Sequence, residues 1–225
     1  MPLGDSITEQ QCWRAYVWDQ LAEAGLTGNV DFVGSMSNNW GNCVSQDPNF
    51  DLDHEGHSGW QAGNIADQYL AGWLATYQPN LVNFHLGTND INAGRSADDI
   101  LGSFTQLVNL MRASNPNIRI MVSLWCAPHH LWHRYADTAK VDALIPLVPN
   151  QAVVDELNGK LEGWRQSLDT PESPIVIVDV SIGAGFSTDF LYDGIHPNDA
   201  GDQFIASKIG PALINIIQSM VAFEA

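Results

Sequence analysis

Basic residues are scarce: 9 Lys and Arg stand against 26 Asp and Glu, a formal charge of -17. A surface that negative repels phosphate backbones and anionic lipid head groups, which argues against nucleic acid or a membrane as partner. Anionic polysaccharides are disfavoured on the same ground, and a neutral substrate fits the field. Cysteine is also rare. Cys12, Cys43 and Cys126 contain no C-x-x-C pair, so a zinc cage is not expected and one disulfide plus one free thiol is the natural arithmetic. No apolar run approaches the roughly 18–20 residues of a bilayer span. No signal peptide is visible and no N-x-S/T sequon occurs. Repeats, linkers and low-complexity tracts are missing too. With 45% hydrophobic and 16% charged residues over 225 positions, one folded domain spanning 1–225 is expected.

What is present is alternation. Short β-branched runs recur at Val30–Gly34, Leu81–Leu86, Ile118–Leu124 and Ile175–Val180, the composition of strands buried on both faces. Met1–Leu3 reads as the remnant of a strand before them, short enough to weaken the anchor of the loop that follows it. Amphipathic stretches lie between. Cys12–Ala24 ends at Gly25, and Gln61–Tyr77 is stopped by Pro79. Ala97–Ala113 follows Ser96 as N-cap, with Asp98 and Asp99 in the first turn. Gln151–Leu168 and Ala200–Val221 complete the set. The pattern predicts a single-domain α/β/α sandwich with a central, mostly parallel five-stranded sheet. The connection over 127–150 is long and follows a strand, so it is expected to border a site at the carboxyl ends of the strands.

Four short segments carry chemistry. Gly4-Asp5-Ser6-Ile7-Thr8 puts a serine on a strand-to-helix turn, where the hydroxyl is exposed and the helix start favours negative charge. The same letters also make an ordinary N-cap. Asp193-Gly194-Ile195-His196-Pro197-Asn198 supplies a base for a serine proton and a carboxylate to orient it. Read alone, it could equally be a capped loop. Gly87-Thr88-Asn89-Asp90 offers an amide donor for an oxyanion, or a plain turn. His57-Ser58-Gly59-Trp60-Gln61 offers a close backbone N–H at Gly59, or a helix cap at Ser58.

Taken together, in this order and each after an expected strand, the segments resemble the four blocks of the SGNH/GDSL hydrolase superfamily. The resemblance covers nearly the whole chain and implies a flavodoxin-like SGNH hydrolase fold. It implies Ser6 as nucleophile, His196 as base and Asp193 as the acid that orients it. The oxyanion donors it implies are Ser6 N–H, Gly59 N–H and the Asn89 side chain, with Asp5 and Asp90 bracing their loops. A narrower likeness lies in His54-Glu55-Gly56-His57-Ser58-Gly59-Trp60, with Pro2–Thr8 and Gly87–Ile91. It resembles carbohydrate esterase family three, the acetylxylan esterases.

That likeness implies deacetylation of a neutral polysaccharide such as acetylated xylan, without a cofactor. A lipid esterase or thioesterase on the same fold, and a non-catalytic carbohydrate-binding protein, are the alternatives. The four-residue set Ser6, Asn89, Asp193 and His196 speaks against the last. Bulky Trp60 beside Gly59 is expected to keep the acyl pocket small. His54 and His57 are three apart with a glycine between, which does not fit the helical zinc motif. His57 is instead expected to support the Gly59 loop. His129, His130 and His133 lie near Trp125 and Trp132. A metal site and loop packing are both open readings, but a sugar cleft is preferred. The candidate substrate-lining residues are therefore His57, Trp60, Trp125, His129, His130 and Trp132, with no metal. Few lysines and eight Trp suit a secreted carbohydrate-active protein, expected here as a monomer. Cys12 begins the first helix and Cys43 lies in the loop after Val30–Gly34. A Cys12–Cys43 disulfide is expected, leaving Cys126 free and buried.

Overall fold

The computed structural model describes residues 1–124 and 151–224. Five short strands form one sheet: β1 (Pro2–Gly4), β2 (Glu55–Gly56), β3 (Leu81–His85), β4 (Arg119–Leu124) and β5 (Ile175–Asp179). Their order is β2-β1-β3-β4-β5, and all four pairings are parallel. The described helices are α1 (Ser6–Glu9), α2 (Trp13–Glu23), α3 (Ala62–Gln68), α4 (Leu70–Tyr77), α5 (Thr88–Asn92), α6 (Ala97–Ser114), α7 (Gln151–Leu168) and α8 (Asp199–Glu224). The five-stranded sandwich expected from the alternation is therefore present.

Side chains leave the sheet in the two-residue rhythm of strands. Leu3, Val82, Phe84, Ile120, Val122 and Ile175 join one core, which α3, α4, α6 and α7 cover. Met121, Val178 and Val180 join the other, beneath α2 and α8. Local caps hold the helices where the sequence put them. Ser96 and Asp99 form a reciprocal capping box at the start of α6. After α2, Leu26 N–H reaches back to the Leu21 carbonyl at 2.9 Å, with Gly25 at φ +69°.

Two expected elements differ. Val30–Gly34 is not a strand, and the edge beside β1 is taken by Glu55–Gly56. The apolar letters are explained by side-chain burial alone: Phe32 packs edge-to-face on Trp18 at 5.2 Å. Its backbone N–H is held by the Asp51 carboxylate at 2.7 Å and not by a ladder. The Gln61–Tyr77 helix is interrupted at Tyr69, whose φ of -125° separates α3 from α4.

One membrane-related reading also needs correction. Asp199–Ala222 of α8 is long and apolar enough, by length and composition, to cross a membrane, with mean hydropathy 1.4. Polar residues such as Asp202, Gln203, Ser207 and Lys208 punctuate the stretch and hide its length in the sequence. In this fold Ile205, Ala206, Ile209, Leu213 and Ile217 of that helix are buried in the α2–α8 core.

Cys12 and Cys43 form the expected disulfide, with Cα atoms 5.1 Å apart. The strand argument behind that expectation fails, since no strand lies between α2 and Cys43. The loop is instead brought in by its own bonds. Asn39 grips Cys43 through both backbone groups, at 2.8 and 2.9 Å, and Asn38 reaches Glu9 at 3.2 Å. Cys126 lies outside the described residues. Closing a loop of this length is worth about 3–4 kcal/mol. A Cys12→Ser/Cys43→Ser double variant is expected to lose about that much in urea unfolding at constant pH. An unchanged midpoint would show that the loop's own hydrogen bonds suffice.

Candidate active site

The sheet register gathers the four segments. Leu3 is paired with both Glu55 and Phe84, and Gly4 with both Gly56 and His85. The turns after β1, β2 and β3 therefore emerge side by side at the carboxyl edge, where ligands bind in such sheets. Close approach requires glycine at two points. A Cβ on Gly4 would come within 2.1 Å of Thr8 Oγ1, and one on Gly56 within 2.6 Å of the Glu9 nitrogen. Helix α1 thus packs directly onto the ends of β1 and β2.

Ser6 is the first residue of α1. Asp5 caps that helix, its Oδ1 accepting from Ile7 N–H at 3.0 Å. Ser6 Oγ lies 2.8 Å from His196 Nε2. His196 Nδ1 lies 2.6 Å from Asp193 Oδ2. The Asp193 loop is tied internally: Oδ1 accepts from the N–H groups of Ile195 and His196 at 3.0 and 2.7 Å. Gly194 makes that tight turn at φ +88°. Partial burial raises the Asp193 carboxyl, but the His196 ring and these N–H groups outweigh it and hold it below its ordinary range. An ionised Asp193 then fixes Nδ1 as the protonated nitrogen and leaves Nε2 to accept from serine.

Asn89 begins beyond Gly87, whose φ of +112° turns the chain out of β3. Its Nδ2 donates to Asp5 Oδ2 and to the Trp60 carbonyl, both at 3.1 Å. Asp90 does not approach His196 through any bond in the structure; it accepts from Ala62 N–H at 2.9 Å and so starts α3. Gly59 sits at φ +82° with open space about its Cα. Its loop is latched to α1 by Glu9, which accepts from Ser58 N–H at 2.7 Å, and by Gln10 Nε2 on Ser58 Oγ at 2.7 Å. Ser6 N–H, at a helix start, has no intrahelical acceptor.

His57 supports this loop. Its N–H donates to the Gly4 carbonyl at 2.9 Å, and Nε2 donates to buried Glu55 at 2.6 Å. Its ring stacks with Trp60 at 4.3 Å and with Trp73 at 4.9 Å. Both histidines of the rejected zinc motif are thus occupied, since His54 Nδ1 accepts from Gly56 N–H at 3.0 Å. Of the other candidate lining residues, Trp125, His129, His130 and Trp132 lie outside the described residues, as does His133. A cavity of about 330 Å³, lined by Met1, Tyr77, Leu81 and Leu213 among others, opens at the amino-terminal ends of the strands, away from Ser6.

Sequence reading missed several neighbours. Tyr192 stacks on His196 at 5.7 Å and 17°, and Gln11 Nε2 donates to its hydroxyl at 3.4 Å. Glu9, Gln10 and Glu55 were not singled out either. Glu9 and Gln10 form no spacing motif, because Ser58 lies 49 and 48 residues away from them; Glu55 and Tyr192 lie two and four residues from His57 and His196 but match no motif of their own.

The sequence matches the model of the GDSL-like lipase/acylhydrolase family over residues 3–204. The chain belongs to that family. Its fold is similar to a crystal structure of a serine-to-alanine mutant of an acetyl esterase with acetate ion, at 46% identity over 98% of each chain and a TM-score of 0.85. It is also similar to a carbohydrate esterase family 3 structure from Talaromyces cellulolyticus, at 46% identity over 97% of each chain and a TM-score of 0.83. A family 3 carbohydrate esterase from Clostridium thermocellum shares the fold at 24% identity, over 98% of this chain and 96% of that one, with a TM-score of 0.75. A multidomain esterase of Ruminococcus flavefaciens is 28% identical over 89% of this chain. The chain spans 26% of that curated relative's length. Family and neighbours together make this SGNH hydrolase fold a carboxylic ester hydrolase.

Two buried carboxyls give a stability test. Burial raises Asp5 to about 7 despite the Ile7 N–H, and raises Asp202 to about 7 despite a bond from Cys12 N–H. Both titrate near 4 when unfolded. Folding favours their neutral forms, so the stability they contribute is present below about pH 4 and lost as pH rises through about 7. Burial lowers His54 and His85 to about 4, which works in the opposite sense over the same range. The total profile therefore mixes signs, and a difference between variants isolates each carboxyl. Asp5→Asn keeps a capping side chain and removes the charge. Relative to the unsubstituted protein, Asp5→Asn and Asp202→Asn are each expected to gain stability in urea as pH rises from 4 to 7. A constant difference across that range would refute the assignment.

Proposed function

We propose that this chain removes acetyl groups from a neutral polysaccharide such as acetylated xylan. The carrying observation is the unbroken chain Ser6 Oγ, His196 and Asp193, at 2.8 and 2.6 Å, on a fold similar to an acetyl esterase. Ser6 Oγ attacks the acetyl carbonyl carbon while His196 Nε2 takes its proton. Ser6 N–H, Gly59 N–H and Asn89 Nδ2 donate to the oxyanion. As the tetrahedral intermediate collapses, the sugar oxygen leaves with the proton from His196, and the acetyl group stays on Ser6. Water, deprotonated by the same nitrogen, then releases acetate and restores the serine. Asp193 orients the imidazole throughout.

The acidic surface supports a neutral polymer over an anionic one. Trp60, wedged among His57, Tyr69 and Trp73 beside Gly59, supports a short acyl group. The disulfide and the likeness to a carbohydrate esterase support an extracellular setting. The reading has the enzyme acting as a monomer, needing no cofactor, and engaging neither nucleic acid nor membrane.

Product analysis on acetylated xylan tests the reading. Acetate release is expected from the unsubstituted protein, and Ser6→Ala and His196→Ala should each lower turnover by several orders of magnitude, roughly as triad losses do elsewhere. Asn89→Ala should cost about 10²–10³-fold in kcat. Asp193→Asn should be severe, and a folded Asp5→Asn or Asp90→Asn milder; the reverse ranking would move the acid of the triad. Catalytic efficiency on p-nitrophenyl acetate should exceed that on the octanoyl ester. Equal or higher efficiency on octanoate would favour a lipid esterase instead.

A further inference from the structure

Exposed large apolar side chains are few among the described residues, and two of them, Trp40 and Tyr192, are aromatics near the segment that runs on from Ser6. Trp40 is 69% exposed and Tyr192 56%. Tyr192 is held by its hydroxyl and Trp40 by the anchoring of its loop, and both rings stay largely open to solvent. Trp40 stands between Asn38, whose side chain donates to the Glu9 carboxylate at 3.2 Å, and Gly41, packed against the Gln10 carbonyl; that same carboxylate latches Ser58 and thereby the Gly59 loop. Glu9 lies three residues after Ser6, within one helical turn of it. Tyr192 receives Gln11 Nε2 at 3.4 Å and lies over the His196 ring. One aromatic thus adjoins the oxyanion-loop side of the nucleophile and the other the histidine side.

The loop bearing Trp40 is fixed in place. The Cys12–Cys43 disulfide binds one end of it to the start of α2. Gly41 packs so tightly that a Cβ would stand 2.6 Å from the Gln10 carbonyl. An indole this exposed gains nothing from burial, yet its loop is anchored by a covalent bond and by the Asn38–Glu9 hydrogen bond. The surroundings are acidic: Glu9 and Asp193 flank the two rings. Arg14, the nearest cation in sequence, is buried with its guanidinium on the Thr8 and Leu52 carbonyls. A ligand for such a surface has apolar C–H faces, hydroxyls that can donate to carboxylates, and no negative charge. A neutral pyranose chain has all three.

We propose that Trp40 and Tyr192 are stacking platforms for the sugar rings on either side of the acetylated residue, with the Cys12–Cys43 disulfide setting the position of Trp40. The proposal rests on the polysaccharide reading above. It extends that reading from a single ester-bearing sugar to a cleft that grips several units of a neutral glycan.

The test compares acetylated xylo-oligosaccharides of four to six units with monoacetylated xylose. In Trp40→Ala the KM for the oligosaccharide should rise about two- to tenfold, the usual worth of one aromatic contact. The rise on the monosaccharide should be several times smaller. Trp40→Phe should recover most of the loss, because a smaller ring still stacks. In the Ser6→Ala background, unacetylated xylohexaose should bind, measured by calorimetry, and binding should weaken when Trp40 or Tyr192 is replaced by Ala. If the unsubstituted enzyme deacetylates xylose but not the oligosaccharides, the polysaccharide reading falls and the platforms fall with it. If it prefers the oligosaccharides while Trp40→Ala loses equally on both substrates, or on neither, the platforms alone are overturned.

Discussion

The site depends on how tightly β1 is held between β2 and β3. Three residues, Pro2–Gly4, occupy the position next to the sheet edge. Because Gly4 and Gly56 carry no side chains, α1 can sit on the strand ends, and its first residue becomes the point where three turns converge. A strand this short has few ladder bonds of its own. It is compensated by burial, with Leu3 fully enclosed in the core, and by the continuation of pairing beyond the strand, where His57 N–H meets the Gly4 carbonyl. A side chain at either glycine would push α1 off the sheet and separate Ser6 from Gly59 and Asn89 together.

From that constraint the latches follow. Glu9, the last residue of α1, and Gln10, which caps it, reach across to Ser58, so the Gly59 loop takes its position from the helix that Ser6 begins. Glu55 reinforces the loop from beneath. It accepts from Ser35 N–H at 2.7 Å and from the Ser35 hydroxyl and His57, so a buried carboxylate has each oxygen engaged. Charged groups in an interior persist only when hydrogen-bonded in this way. The aromatic stack of His57, Trp60, Tyr69 and Trp73 then closes the side of the site toward α3 and α4.

Fold and site were legible in the sequence to different depths. Strand–helix alternation pointed to the sandwich, because short β-branched runs bounded by turn residues are typical of strands buried on both faces. The same rule misassigned Val30–Gly34, where Phe32 is buried by its side chain while its backbone bonds to Asp51. Composition reports where side chains go, not where N–H groups go. Strand β2 was invisible for the converse reason: Glu55–Gly56 is two residues long and carries a charge. The residues of the four motifs were readable because each pairs a special side chain with a glycine turn. Tyr192, Glu9 and Trp40 were not, since their significance arises only when α1 brings distant segments together.

Asn89 shows why geometry adds something the motifs did not contain. An amide nitrogen carries two protons, and Asn89 Nδ2 already faces Asp5 Oδ2 and the Trp60 carbonyl, each at 3.1 Å. In the mechanism we propose, an oxyanion formed on Ser6 has to share one of those protons. Both bonds lie toward the long end of the N–H···O range, so sharing costs less than breaking a short bond would. Two acceptors also fix the amide plane before substrate arrives, which is the condition under which an oxyanion donor contributes most. The identity of the acceptors matters. An ionised Asp5 would hold the amide firmly but would oppose negative charge building on the neighbouring oxygen. Burial, which holds Asp5 at about 7, weakens that opposition, because near neutral pH the carboxyl spends much of its time uncharged. The Asp of the Gly-Asp-Ser turn is thus more than a helix cap: it ties the electrostatics of the proposed oxyanion donor, Asn89, to the burial of the strand end beneath it.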